Sequence, residues 1–182
     1  MEAFLVSTGI VALAEMGDKT QLLALVLAGR YRQRGRVVLG ILVATVANHA
    51  LAAAFGAWIT SLIGEQMLRW ILAASFLAMA AWMLVPDSPP GEEVKPRLGA
   101  FTATLIAFFI VEIGDKTQIA TVALAARYAA TAAVVAGTTL GMMIANVPAV
   151  YLGEAILKRV PVRLVHAVGA AMFLVLGVLA LL

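Results

Sequence analysis

The chain contains 182 residues, of which 63% are hydrophobic and 13% are charged, and its mean hydropathy of +1.01 excludes an ordinary soluble domain, in which roughly 45–50% of residues are apolar. Spanning segments of about 20 residues use most of this length, so no separate soluble domain is expected. The net charge of +3 does not indicate nucleic-acid binding, because the basic residues lie in short loops between apolar runs. The lack of cysteine excludes disulfides and thiolate metal sites.

Six apolar segments follow one another along the chain, and their length and lack of period-two alternation favour membrane helices over barrel strands. They cover about residues 3–29, 37–64, 67–86, 98–126, 130–153 and 164–182. The hydrophilic stretch PDSPPGEEVKPR separates the third segment from the fourth and holds four of the six prolines. We therefore predict an all-α integral membrane protein with six transmembrane helices: a first three-helix repeat (1–86), a linker (87–97) and a second three-helix repeat (98–182).

The first segment carries three charges near its middle, Glu15, Asp18 and Lys19, in the stretch AEMGDKTQLLAL. The fourth segment repeats this pattern as VEIGDKTQIATV, so that Glu15 corresponds to Glu112 at an offset of 97 residues. The same offset relates other residues of the two halves, which indicates an internal duplication. Because each half has an odd number of helices, the second half should enter the membrane from the opposite side, as in the inverted repeats of secondary transporters.

The basic residues of the loops predict the orientation of the chain in the membrane. The predicted topology places nine of them on one side: Arg30, Arg32, Arg34, Arg36, Lys95, Arg97, Lys158, Arg159 and Arg163. Only Arg69 and Arg127 lie on the other side. Since cytoplasmic loops carry the excess of Lys and Arg, we expect a multi-pass protein of the inner (plasma) membrane with both termini on the non-cytoplasmic side.

The six charges of the two motifs need compensation, because each costs about 2.5–3.5 kcal/mol in a membrane helix. A continuous helix would place Glu15, Asp18 and Lys19 on one face, which must point at protein or water. If the first and fourth helices cross near the bilayer centre, we expect Lys19 to pair with Asp115 and Lys116 to pair with Asp18. Glu15 and Glu112 would then leave a net charge near −2, which one divalent cation or two protons could neutralise.

Neutral oxygens accompany these carboxylates. Gly17 and Gly114 would permit close helix packing or local unwinding, and each motif continues with a threonine and a glutamine: Thr20, Gln21, Thr117 and Gln118. Asn48 and Asn146 are secondary candidates, either as amide ligands or in helix–helix hydrogen bonds. His49 is interpreted first as a satisfied core histidine and second as a proton relay. An all-oxygen site suits Ca²⁺, Mn²⁺ or Mg²⁺ better than Cu⁺ or Zn²⁺.

The doubled motif, EMGDKT at 15–20 and EIGDKT at 112–117, resembles the E-x-G-D-[KR]-[TS] signature of the Gdt-type calcium/manganese transporter family of bacterial, Golgi and chloroplast membranes. The resemblance covers nearly the whole chain and implies a secondary transporter that moves Mn²⁺ or Ca²⁺ out of the cytosol in exchange for protons. It also implies that the cation-binding acids are Glu15, Asp18, Glu112 and Asp115. The lysines and threonines at Lys19, Thr20, Lys116 and Thr117 complete the two motifs.

Three other interpretations are weaker. The charged residues could stabilise helix–helix packing in a scaffold that does not transport, but this role does not require excess carboxylates inside the membrane. An exporter of an amino acid or another small solute would use the lysines as partners of its substrate. An intramembrane aspartyl protease built on Asp18 and Asp115 is disfavoured by the lysine beside each aspartate. We therefore expect a transporter without enzymatic activity or cofactor, with the cation, protons and the bilayer as its partners. The sequence is compatible with either Mn²⁺ or Ca²⁺ as the transported cation, and with either a monomer or a homo-oligomer.

Overall fold

The computed structural model describes residues 1–85, 98–153 and 161–182. Within these ranges the chain forms eight α-helices and no strand, which confirms the predicted all-α class. The helices are α1 (Glu2–Glu15), α2 (Lys19–Tyr31), α3 (Arg34–Leu62), α4 (Glu65–Trp82), α5 (Ala100–Glu112), α6 (Lys116–Tyr128), α7 (Thr131–Leu152) and α8 (Val162–Leu179). The predicted linker 87–97 and four of the basic loop residues lie outside the described residues: Lys95, Arg97, Lys158 and Arg159.

The first and fourth apolar segments each form two helices, so the expectation of one continuous helix through each motif is wrong. α1 ends at Glu15 and α5 ends at Glu112, and three residues separate each of them from the helix that follows, α2 or α6. Gly17 and Gly114 lie in the breaks with φ of +83° and +76°, a conformation that glycine adopts without the steric cost of a Cβ atom. The motif charges therefore meet around helix ends and not on one face of a continuous helix.

The two halves repeat one another in their local geometry. α2 is followed by Arg32 with φ of +51°, and α6 is followed by Ala129 with φ of +47°, at the offset of 97 residues. In the packing, Gly40 of α3 lies against Phe101 and Thr104 of α5, while Gly137 of α7 lies against Phe4 and Ser7 of α1. These are also equivalent positions, and the small glycine surface lets each helix pair approach closely.

α1 packs mainly on α7, α5 packs on α3, and α4 packs on α8. Between α4 and α8 the equivalent residues Phe76 and Phe173 stack on each other, with ring centroids 6.3 Å apart. Both phenylalanines are fully buried. The contact therefore joins residues that are 97 positions apart and equivalent in the two halves.

Within the described residues, three helices are long and apolar enough to cross a membrane: α3, α7 and α8. α5 is apolar but has only 13 residues, about 20 Å of helix, which is shorter than the hydrocarbon core of about 30 Å. Large apolar side chains point outward along α3, among them Leu51, Phe55, Trp58 and Leu62. An exterior of this kind suits contact with lipid.

Candidate metal centre

Each helix break is held by a glutamine from the helix that follows it. The Gly17 N–H donates to Gln21 Oε1 at 2.9 Å, and the Gly114 N–H donates to Gln118 Oε1 at 2.7 Å. Gln21 also donates from Nε2 to the Ala145 carbonyl of α7 at 2.7 Å. Both predicted glutamine ligands thus use their oxygens to satisfy backbone groups that the broken helices leave without an intrahelical partner.

The aspartates of the motifs lie just before α2 and α6, where the helix dipoles favour negative charge. Lys116 Nζ lies 2.8 Å from Asp18 Oδ1, and Lys19 Nζ lies 2.7 Å from Asp115 Oδ1. The expected cross-pairing between the two motifs is therefore confirmed. The Lys116–Asp18 pair is almost completely buried, whereas the Lys19 side chain is 25% exposed.

The two glutamates of the motifs lie close together in the interior, with Asp115 beside them. One carboxylate oxygen from each of Glu15, Glu112 and Asp115 lies within 4.8 Å of the other two, and all three residues are buried. A cation with oxygen ligands at about 2.1–2.5 Å holds ligand atoms up to roughly 4.2–5.0 Å apart. We call these three residues the acidic cluster. Asp18, the fourth predicted acid, is not a member and pairs with Lys116 instead.

Two threonines orient the glutamates. Thr20 Oγ1 donates to Glu15 Oε2, and Thr117 Oγ1 donates to Glu112 Oε1 at 2.6 Å. The other oxygen of each glutamate, Glu15 Oε1 and Glu112 Oε2, is buried and makes no hydrogen bond within the described part of the chain. Buried carboxylate oxygens without a partner are costly, so a cation or a proton at this position would be stabilising.

Three polar side chains of α3 and α7 are buried beside the broken helices. Asn48 Nδ2 donates to the Phe109 carbonyl of α5 at 3.1 Å, which is the helix–helix hydrogen bond considered above. Asn146 Nδ2 donates within α7 to the Met142 carbonyl, and the side-chain oxygens of both asparagines accept no hydrogen bond from the described residues. His49 Nε2 lies 3.5 Å from Glu112 Oε1. Neither ring nitrogen makes a hydrogen bond in the described ranges, so the interpretation as a satisfied core histidine is wrong.

α8 covers the first break, whereas no helix of the described ranges fills the equivalent space at the second. His166 Nε2 donates to the Met16 carbonyl at 2.8 Å, and Val162 fills the space beside Gly17. Among the described residues, none has an atom within 4 Å of the position that a Cβ atom would take at Gly114, and Ile113 is 59% exposed. His166 could not be predicted from the duplication, because the residue at its equivalent position, 97 residues earlier, is Arg69 and not a second histidine.

Comparison with known proteins gives a consistent result. The family model described as "Divalent cation/proton antiporter GDT1" matches residues 3–90 and 100–182. The chain is 49% identical over 178 residues to a Vibrio cholerae protein named "Putative manganese exporter", covering 97% of this chain and 89% of the relative. It is 27% identical over 202 residues to a GDT1-like protein of Synechocystis, covering 99% and 97%, and 26% identical over 221 residues to GDT1-like protein 5 of Arabidopsis thaliana, covering 100% and 96%. No solved structure matches the chain.

Proposed function

The chain belongs to the divalent cation/proton antiporter GDT1 family, and we propose that it exports Mn²⁺ and/or Ca²⁺ from the cytosol in exchange for protons. The acidic cluster of Glu15, Glu112 and Asp115 is the proposed cation site. The relationship to the Vibrio cholerae protein, whose name refers to manganese export, favours Mn²⁺.

One observation carries this proposal: the lysines of the motifs neutralise the aspartates and leave the glutamates. Lys19 pairs with Asp115 and Lys116 pairs with Asp18, so the six motif charges reduce to a net charge of −2 on Glu15 and Glu112. These two carboxylates lie in the same buried cluster. A divalent cation has the charge needed to balance them, and oxygen ligands suit Mn²⁺ and Ca²⁺.

Exchange follows from the same charge balance. A cluster with two uncompensated negative charges is expensive to carry through a low-dielectric interior, whereas a cluster that holds one divalent cation or two protons is close to neutral. Only the loaded forms would then interconvert readily between inward-open and outward-open arrangements. Cation movement in one direction therefore becomes linked to proton movement in the other. Thr20 and Thr117 would keep the glutamates oriented, while Gln21 and Gln118 hold the breaks open.

We extend the proposal to the architecture. α1 with α2, and α5 with α6, would each act as one broken membrane span, which together with α3, α4, α7 and α8 makes six spans in two inverted repeats of three. The exchanged ion pairs and the Phe76–Phe173 contact support a two-fold relation between residues 1–86 and 98–182. Broken helices at the repeat interface are typical of secondary transporters. The loop charges favour the inner (plasma) membrane with both termini on the non-cytoplasmic side.

The experiment that tests the site measures Mn²⁺ and Ca²⁺ uptake into proteoliposomes with an acidic lumen. Glu15→Gln and Glu112→Gln each remove one of the two uncompensated charges, so we expect the initial rate of cation uptake to fall at least tenfold. Glu65→Gln is the matched control, because Glu65 lies at the start of α4 with its side chain 82% exposed. It should transport at the wild-type rate. Wild-type rates in both folded cluster variants would rule out the proposed site.

A further inference from the structure

His49 is a buried imidazole whose surroundings do not satisfy it. It lies in the middle of α3 and is 0% exposed, and neither ring nitrogen makes a hydrogen bond within the described residues. Buried polar atoms without a partner are uncommon in native proteins and call for an explanation. The nearest acid is Glu112, a member of the acidic cluster, whose Oε1 lies 3.5 Å from His49 Nε2.

This distance fits two ligands of one metal ion. Two donor atoms that each lie about 2.2 Å from a common ion, at about 90–105° to each other, lie roughly 3.1–3.5 Å apart. Glu112 also has a second oxygen without a hydrogen-bond partner in the described ranges. His49 lies outside the acidic cluster, so a cation on the His49 side of Glu112 would accept the imidazole nitrogen once α3 and the cluster move closer together than in this structure.

The position is not a product of the duplication. Asn48, beside it, corresponds to Asn146 with a one-residue slip from the offset of 97, and the residue that follows Asn146 is Val147 and not a histidine. At the offset of 97 itself, the residue equivalent to His49 is Asn146, which is also not a histidine. A site made only of duplicated residues would be all oxygen. His49 adds a single nitrogen, from one half only, to the oxygen ligands of the acidic cluster.

A nitrogen ligand changes which cations the site prefers. Ca²⁺ and Mg²⁺ are hard cations that take oxygen ligands. Imidazole binds divalent transition metals, with affinity rising from Mn²⁺ along the series. Replacing one oxygen ligand by imidazole thus weakens Ca²⁺ binding relative to Mn²⁺ binding, while Glu15, Glu112 and Asp115 supply the charge that both ions need.

We propose that His49 is a metal ligand that makes the cation site selective for Mn²⁺ over Ca²⁺. The inference rests on the proposed function, because it assigns the preferred cation of the same site. It differs from both interpretations of His49 made from sequence, as a core histidine and as a proton relay.

The direct test is pulsed electron paramagnetic resonance of Mn²⁺ bound to the purified protein. The chain contains two histidines, so ¹⁵N-histidine labelling isolates their contribution to the nitrogen modulation of the Mn²⁺ signal. We expect imidazole modulation in the wild-type protein, its loss in His49→Val, and its retention in His166→Gln. Valine follows Asn146 as His49 follows Asn48, and His166→Gln is the matched control for removing a histidine.

Transport provides the second readout. In proteoliposomes, we expect His49→Val to lower the ratio of kcat/KM for Mn²⁺ to that for Ca²⁺ by about tenfold, with Ca²⁺ transport retained. His49→Gln, which keeps a polar side chain, serves if His49→Val does not fold. Wild-type protein that binds and transports Mn²⁺ without histidine modulation, or an unchanged cation ratio in the variants, would overturn the inference and leave the proposed function intact. Absence of any divalent cation transport by the wild-type protein would instead refute the proposed function.

Discussion

Lys19 and Lys116 occupy the same motif position, and each neutralises the aspartate of the opposite motif. The pair between Lys116 and Asp18 is the more deeply buried, with both side chains at most 1% exposed. In such a place the interaction of the two charges offsets a large desolvation cost, and removing one partner leaves the other charge buried. The ion pairs therefore hold the two halves together as well as balancing the charge of the site.

We expect Lys116→Met to destabilise the protein by about 3–5 kcal/mol, because Asp18 loses its lysine partner. In a protein of this size that corresponds to a fall in Tm on the order of 10 °C. Adding Asp18→Asn to the same chain should recover at least half of the loss. Thermal denaturation in detergent, analysed as a double-mutant cycle, measures both effects.

The surface pair between Arg69 and Glu65, 49% and 82% exposed, provides the control for this prediction. Arg69→Met should change the free energy of unfolding by less than about 1 kcal/mol, since exposed pairs contribute little. Equal effects of Lys116→Met and Arg69→Met on Tm would mean that the buried pair has no structural role.

The breaks between α1 and α2 and between α5 and α6 are the elements on which the site depends. At each break, the end of one helix and the start of the next both point toward the interior. The glutamate before the break therefore lies in the acidic cluster, and the aspartate three residues later forms an ion pair with the lysine of the other motif. Gly17 and Gly114 make this possible with the same positive φ. Their surroundings differ, because Val162 of α8 fills the space beside Gly17, while no residue in the described part of the chain fills the equivalent space beside Gly114.

Alanine at either glycine should be destabilising, by about 1–2 kcal/mol for the left-handed backbone alone. Gly17→Ala should cost more than Gly114→Ala, because a Cβ atom at position 17 would lie 2.5 Å from Val162 Cγ1. Adding Val162→Ala should recover stability in Gly17→Ala and not in Gly114→Ala. Comparison of the four Tm values checks this; equal losses for the two single variants would contradict the described packing of α8.

Much of the fold could be predicted from the apolar segments, whereas the breaks could not be placed. Glycine inside a helix costs only about 1 kcal/mol relative to alanine, so sequence alone does not distinguish Gly17, which breaks a helix, from Gly29, which lies within α2. The ion pairs could be predicted because neighbouring Asp and Lys on one helix do not face each other. The contact of His49 with Glu112 depends on how α3 packs against α5, which no local pattern reports.

For the molecule as a whole, the two halves share their helix order and many contacts, but they do not have the same surroundings at the two breaks. His166 and Val162 cover the first break, and Ile113 is exposed at the second. A transporter with inverted repeats needs its halves to adopt different arrangements and to exchange them during alternating access. In the proposed cycle, the two halves exchange these different arrangements only when the acidic cluster is close to neutral. The cluster is close to neutral when a cation or protons are bound.

The central claim is that cation and proton movement are coupled, and simultaneous recording of both fluxes in the same proteoliposomes tests it most directly. With Mn²⁺ outside and an acidic lumen, we predict Mn²⁺ uptake together with alkalinisation of the lumen. Both should stop in Glu15→Gln/Glu112→Gln, and Mn²⁺ accumulation should collapse when a protonophore removes the pH gradient. Mn²⁺ uptake by the wild-type protein that proceeds without proton movement and is indifferent to the pH gradient would contradict the account.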